Sequence, residues 1–447
     1  MNKRLISLMA AALALLSASA QVSFTGPYIE VTPDMDTGLD KIFVVFNTSG
    51  VAMSFASSTG ERATWESYDS SSWSYPNAIT GVRWDGQSTI LDQVIPNMGY
   101  IIKEGTDPYY CWVVNYADYF LELNDMFIDN ESPCSLLKFN IDGKGGDIPY
   151  YTIHGQRRVL DRDIRLSYNT LEWDDSTHWQ EIPVVESFES LDRVIEVQQP
   201  LCNTTFMLTG DRFLEEWGMG VGIEGPYFET QAVNCGATAE QEDRGNDNEK
   251  GLDSGLGGSA PVHIVFTGYP TDAVVYREWE MATDPDFENV ILQYNQDEVD
   301  YTFNDAGTYY MRYMVANAAG TCEFYSETFM VTVSESELVC PNVFSPGSTE
   351  GVNDVWKVSY KSLVEFHCWI FNRWGNLVCE FTDPGSGWDG TYHGRLVDTG
   401  VYYYVVTALG SDGVKYKKRG DITILRYKKG ASGTSGDGSG GVDTGGY

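Results

Sequence analysis

Apolar residues along this chain fall into short runs or alternate with polar ones, and helical spacing is scarce. Lys41-Ile-Phe-Val-Val-Phe46, Cys111-Trp-Val-Val114, Val262-His-Ile-Val-Phe266 and Val401-Tyr-Tyr-Tyr-Val-Val406 are rich in β-branched and aromatic side chains. Gly, Asn, Asp and Pro punctuate the gaps between them. Runs of this length, bounded by turn residues, predict short strands stacked as β-sandwiches. The expected fold is therefore all-β, with tandem sandwiches over 21–130, 131–235 and 261–337 and a smaller one over 341–427. Residues 236–260 break the pattern, with six Gly, six acidic residues and no aromatic. A segment with so little to bury is expected to be a flexible acidic linker. The same holds for 428–447, a Gly/Ser-rich tail in which eight of the last eighteen residues of the chain are Gly.

The N-terminus has a different character. Met1 to Arg4 is basic, Leu5 to Leu16 is apolar, and Ala18-Ser19-Ala20 offers small residues at an A-x-A site. This is the layout of a signal peptide over 1–20, leaving Gln21 as the new N-terminus of an exported protein. No cysteine follows the cleavage site, so a lipid anchor there is not expected. No later stretch approaches about 18 uninterrupted apolar residues, so no membrane-spanning helix is expected.

Export changes the reading of the cysteines. There are eight, at 111, 134, 202, 235, 322, 340, 368 and 379. An even count in an exported chain suggests disulfides. Proximity favours Cys111–Cys134, Cys202–Cys235, Cys322–Cys340 and Cys368–Cys379. The last pair is symmetric about a turn at Arg373-Trp374, which would set the two opposite each other in a hairpin. No C-x-x-C occurs and the five histidines are scattered, so neither a zinc site nor any cofactor is expected.

Charge narrows the partners. Without the leader, 27 basic side chains face 64 acidic ones, a net charge of −37 with His neutral. A phosphate backbone would be repelled, which argues against nucleic acid as a partner. At 42% hydrophobic and 13% aromatic, the chain is too apolar to be a disordered acidic polymer. The charge is also unevenly placed. Residues 341–447 carry eleven basic and eleven acidic side chains, whereas 21–340 carry sixteen and fifty-three.

Two stretches resemble known families. Asp305-Ala-Gly-Thr-Tyr309 precedes the run Tyr310-Met-Arg-Tyr-Met-Val315. This D-x-G-x-Y turn resembles the tyrosine corner of immunoglobulin-like and polycystic-kidney-disease (PKD) domains, with Met311 where an antibody domain has Cys and Trp279 as core aromatic. The resemblance implies a PKD/immunoglobulin-like domain at 261–337. Further on come Pro341-Asn342-Val-Phe344-Ser-Pro346, Gly351-Val-Asn353-Asp354, Asn372-Arg373-Trp374-Gly375, Gly387-Trp388-Asp389-Gly390, Gly400-Val-Tyr-Tyr-Tyr-Val405 and Gly420 to Arg426. This series resembles the gliding-motility-associated C-terminal domain of Bacteroidetes proteins, the type B sorting signal of the type IX secretion system. The resemblance implies export to the cell surface or medium and contact with the translocon through residues 341–426. The chain departs from the pattern in two places. Gly347-Ser-Thr-Glu350 replaces the usual Asn-Gly-Asp-Gly, and the sequence continues past Arg426. By their own chemistry, Asn372 to Gly375 form a hairpin turn with Gly375 at positive φ, and Trp388 is free to cover one end of the sheet. Arg373 and Arg426 read either as groups for a translocon or as solvated charge.

Candidate chemistry elsewhere is thin. Asp34-Met-Asp36-Thr-Gly38-Leu-Asp40 has three carboxylates at a turn, but position 45 is Val where an EF-hand needs Glu. Trp173-Asp-Asp175 and Glu215-Glu-Trp217 pair acids with aromatics, the ingredients of a sugar cleft. Asp175-Ser176-Thr177 resembles the short O-glycosylation site used in Bacteroidetes. No nucleophile elbow, zincin or P-loop motif is evident, so an enzyme is not expected. The leading expectation is an adhesive or structural binding module with a surface protein or glycan as partner. A regulator of the secretion or gliding machinery, and a hydrolase within 21–235, are the alternatives.

Overall fold

The computed structural model describes residues 21–129, 134–251, 255–348 and 351–425. The leader at 1–20, Arg426 and the tail at 428–447 lie outside the described residues. Strands dominate, as the alternation predicts; among the described residues the one α-helix is the short Arg212–Glu216. The chain divides into two compact units. One holds residues up to Glu172 and Gln180–Ala232, the other Trp173–Trp179 and the chain from Val233 onward.

In the first unit, a four-stranded sheet (Val22–Phe24, Met53–Ala56, Ser88–Leu91, Arg83–Trp84) faces a six-stranded one. The six-stranded sheet pairs Lys41–Val45 in parallel with Asp107–Asn115, so that Lys41 lies opposite Cys111. These are the two apolar runs noted above, and their lack of alternation has a structural cause. Phe43, Val45, Cys111 and Val113 fill the core against the four-stranded sheet. Ile42, Val44, Trp112 and Val114 belong to a second core, shared with Phe139, Phe206 and Leu208. A strand buried on both faces has no polar side to show. Residues 21–130 and 131–235 are thus joined through one continuous core.

Later in this unit the strands form sheets of three and four, besides a two-stranded ribbon of Ile148–Tyr151 and Arg157–Leu160. The first begins with β1 (Glu122–Ile128), followed in space by Leu136–Lys144 and Val194–Gln198. The second ends with β2 (Val221–Phe228), beside Thr204–Gly210. Where the six-stranded sheet meets these strands, Arg162 and Asp211 are fully buried together, with Arg162 Nε 2.8 Å from Asp211 Oδ2. The Tyr116 hydroxyl donates to the same carboxylate, at 3.0 Å from Oδ2. The guanidinium also donates to Gly146 O and Tyr119 O, both at 2.8 Å.

The second unit opens with β3 (Cys235–Gln241) paired to β4 (Val262–Pro270) and then Glu298–Phe303. A facing sheet contains Val274–Ala282 and Gly307–Asn317. Trp279 is wholly buried between them, 5.0 Å from the Tyr313 ring. Tyr309 Oη donates to Asp305 O at 3.1 Å, closing the corner that the D-x-G-x-Y spacing predicts.

The segment expected to be a free linker is not one over its described residues. β3 lies within it, and the stretch after β3 straps across the C-terminal module. Asn248 Nδ2 donates to Val358 O and Pro384 O at 2.8 and 2.7 Å, and Lys250 N donates to Tyr360 O. Asn246 Nδ2 reaches the Tyr360 hydroxyl. Arg244 pairs with Glu249, whose side chain is fully buried. Composition registers missing aromatics, but amide side chains satisfying another module's carbonyls leave no hydrophobic signature.

Candidate functional site

The C-terminal module is a five-stranded sheet in which Val343–Phe344 is followed in space by β8 (Lys415–Ile424), β7 (Gly400–Gly410), β5 (Leu363–Phe371) and β6 (Leu377–Phe381). Even-numbered residues of β7 and β8 face inward, so Tyr402, Tyr404, Val406, Ile422 and Ile424 are buried with Cys368 and Ile370 of β5. Two tryptophans close this core. Trp356 and Trp388 exchange backbone hydrogen bonds at 2.8 and 2.9 Å, and both side chains are buried. Trp388 therefore sits inside the core, where a cap over one end of the sheet was expected. The reason is the mutual bridge to Trp356, a partner too distant in sequence for local turn chemistry to reveal.

Most of the singled-out residues have visible tasks in this fold. Pro341 O accepts the Trp356 indole N–H at 2.8 Å, and Asn342 O accepts Thr423 N. Phe344 packs on Trp388 with centroids 5.4 Å apart. Asn353 takes a left-handed φ of 57°, and its O accepts Ser345 N. Asp354 accepts Gly347 N and Gly351 N, and Asp389 accepts Thr391 N and its hydroxyl. Gly390, at φ 75°, lies so close to Pro346 that a Cβ would collide. Asn372 accepts Trp374 N and Asn376 N, and Gly375 sits at φ 82°. A second tyrosine corner went unread in the sequence. Tyr402 Oη donates to Asp398 O at 3.1 Å, on the same D-x-G-x-Y spacing as Asp305 to Tyr309.

Two residues stand apart. Trp374 is 77% exposed at the tip of the β5–β6 hairpin, and the Arg373 guanidinium lies 5.4 Å from its ring centroid. Neither packs into the core, yet the turn beneath them is held rigidly. On the outer face of the sheet, Lys415, Lys417 and Arg419 alternate along β8. On the same face, with β7 between, His367 of β5 stacks on Trp369 at 3.7 Å, and Glu380 accepts from the indole.

The expected disulfides do not form. Cys134 and Cys322 are disulfide-bonded, while Cys111, Cys202, Cys235, Cys340, Cys368 and Cys379 are thiols. In the β5–β6 hairpin, Phe371 pairs with Leu377 but Ile370 pairs with Cys379, so a bulge at Val378 shifts the register. The turn's own pairing would set Glu380 opposite Cys368, and the bulge moves the partner to Phe381; Cys379 faces Ile370. Burial pushes the Cys368 and Cys340 thiols up, and it pushes the Tyr404 phenol up to about 12.

Most of the other candidates are engaged within the fold. Asp36 pairs with Arg158 at 2.8 Å, and Asp40 accepts Tyr110 N. Among the described residues, no three His, Cys, Asp or Glu side chains are placed to hold a metal ion. Trp173 donates to Asp175 and stacks on His178, while Asp174 caps Ser176 and Thr177. Glu215 is exposed and bonded to Arg165, and Trp217 packs on Tyr116.

Residues 338–424 match the model of the CHU_C type IX secretion signal domain. The C-terminal module is a type IX sorting domain. Its presence marks the protein for export to the cell surface or extracellular space. Upstream, residues 126–224 match a fibronectin type III domain model. No curated protein matches the chain. Among solved structures, a tetra-tandem repeat from the extending region of a large adhesion protein aligns at 10% identity and a TM-score of 0.22, covering 85% of this chain and 97% of that one. Dimeric latent PorU from Porphyromonas gingivalis aligns at 10% identity and 0.17, covering 71% and 35%. Three N-terminal domains of the outer capsid protein Hoc from bacteriophage RB49 align at 9% and 0.20, covering 69% and 99%. Similarity this low carries no argument about the whole chain. The sorting domain and the fibronectin type III domain rest on the family models.

Proposed function

We propose that this exported protein is a non-enzymatic adhesive or structural binding protein. Residues 21–340 meet the partner, and the sorting domain meets the translocon. The observation that carries this reading is the division of labour along the chain. The sorting domain is charge-balanced, and nearly all of its motif residues are spent on its own turns and core. The β-sandwiches before it hold the whole net charge of −37. A translocon serving unlike cargos can read only what those cargos share, which leaves the acidic sandwiches for a function of their own. The test is deletion of 341–447. The truncated chain should stay in the periplasm yet, once purified, bind the same cell-surface material as the whole protein, more weakly as salt rises. Normal surface display of the truncated form, or binding that needs the sorting domain, overturns the reading.

A further inference from the structure

β1 and β2 are terminal strands of the sheets of three and four after residue 121, and a cleft of about 700 Å3 lies along them. The two strands run side by side, each lying along the other's outer edge, and at their tightest point a side chain on Gly225 would collide with Met126. Beyond it the pairing of β2 with Thr204–Gly210 shifts register between Thr205 and Met207, opposite Gly225-Pro226. The irregularity and its proline keep the two edges from zipping together into one ladder.

The lining is chemically one-sided. Phe127 is 53% exposed and Tyr227 62% exposed, large rings left in water at a cleft. Asp125, Glu224 and Glu229 line it too, and Lys, Arg and His are missing from the lining. Asp125 bonds its neighbour Met126 N; among the described residues none of the three carboxylates has a cationic partner. Elsewhere in the same unit exposed acids do find one, as Glu122 does in Lys144 and Glu215 in Arg165. Aromatic faces attract cations, and unpaired carboxylates nearby add to that attraction.

We propose that this cleft binds an extended peptide segment bearing Lys or Arg, laid over the outer face of the two strands with its cations over Phe127 and Tyr227 and between the three carboxylates. The exposed rings supply contact area, and the unpaired carboxylates select for cations. The proposal rests on the binding-protein reading and names the chemistry of one partner.

The probe is a synthetic (Lys-Thr)5 peptide, with (Glu-Thr)5 and cellohexaose as controls, titrated calorimetrically into the full mature chain. The lysine peptide should bind, and hydrogen exchange should slow at 122–128 and 221–229. Phe127→Ser with Tyr227→Ser should weaken binding about tenfold, as expected for exposed aromatic anchors. Glu224→Gln with Glu229→Gln should weaken it and flatten its salt dependence. Binding unchanged in both variants would assign the peptide to the general acidic surface and overturn the site. So would cellohexaose binding in place of the peptide. Should the variants lose the peptide while whole cells still attach normally, the site stands and the adhesive reading falls. Should attachment persist in the wild-type chain with no peptide binding, the reverse holds.

Discussion

Single residues decide how the first unit is held together. Arg162 and Asp211 have no exposure, and each would be an uncompensated buried charge without the other. Removing one partner of such a pair typically costs about 3–5 kcal/mol. Asp211→Ala also strips the acceptor from Leu214 N at the start of the short helix and from the Tyr116 hydroxyl. Denaturant titration should therefore show a loss in that range, and a change below about 1 kcal/mol would mean water reaches the site. His263 makes a smaller, pH-dependent contribution. Its ring nitrogens face Asp300 and Glu242, and the hydrogen bond to Asp300, then the charges of both acids, raise its pKa above the ordinary imidazole value. The raised value means the stabilisation is complete below about pH 6.5 and fades as pH rises through the folded-state value. Denaturation curves across that range should converge with those of His263→Gln at high pH. A wild-type difference that grew with pH would contradict the assignment.

Elements show where local rules reach and where they stop. The turn at Asn372 to Gly375 was legible because amide capping and a left-handed glycine are local chemistry. Strand register was not. The Phe371–Leu377 pair centres the hairpin so that Glu380 would face Cys368, and the extra residue at Val378 moves that partner on to Phe381, so Cys379 never lies opposite Cys368. The same hairpin presents Trp374, whose ring contributes little to folding because most of it stays in water. Trp374→Ser should leave the melting temperature of the protein within about 2 °C of wild type, as surface substitutions do. If the tip is what the translocon reads, export should fall and the protein should accumulate in the periplasm. Wild-type export would move the contact to another part of the domain.

At the scale of the molecule, the strap after β3 sets the boundary of the exportable module. A fusion beginning at residue 261 omits β3 and leaves one edge of β4 bare along its seven-residue pairing from Cys235 to Gln241. It also removes the Asn248 bonds to Val358 O and Pro384 O. An exposed edge strand invites aggregation. A leader and a folded reporter joined to 233–447 should accordingly reach the cell exterior in good yield, while the 261–447 version should be degraded or aggregate. Equal export of both, measured by surface proteolysis, would show that the strap is dispensable.

Sequence alone determined the all-β class, the tyrosine-corner spacing at Asp305 to Tyr309 and the motif series of the sorting domain, because strand alternation, turn chemistry and spacing are written within a few residues of one another. Both ends of the charge asymmetry were equally plain. Tertiary structure decided the rest. It merged the cores on either side of residue 130, since a strand such as Lys41–Val45 can be buried on two faces only once both neighbours are in place. It turned Asn246 and Asn248 from linker residues into anchors and drew Trp388 inward to Trp356. In each case the deciding partner lies far along the chain, and the free energy comes from burial or hydrogen bonding that only the folded neighbour supplies.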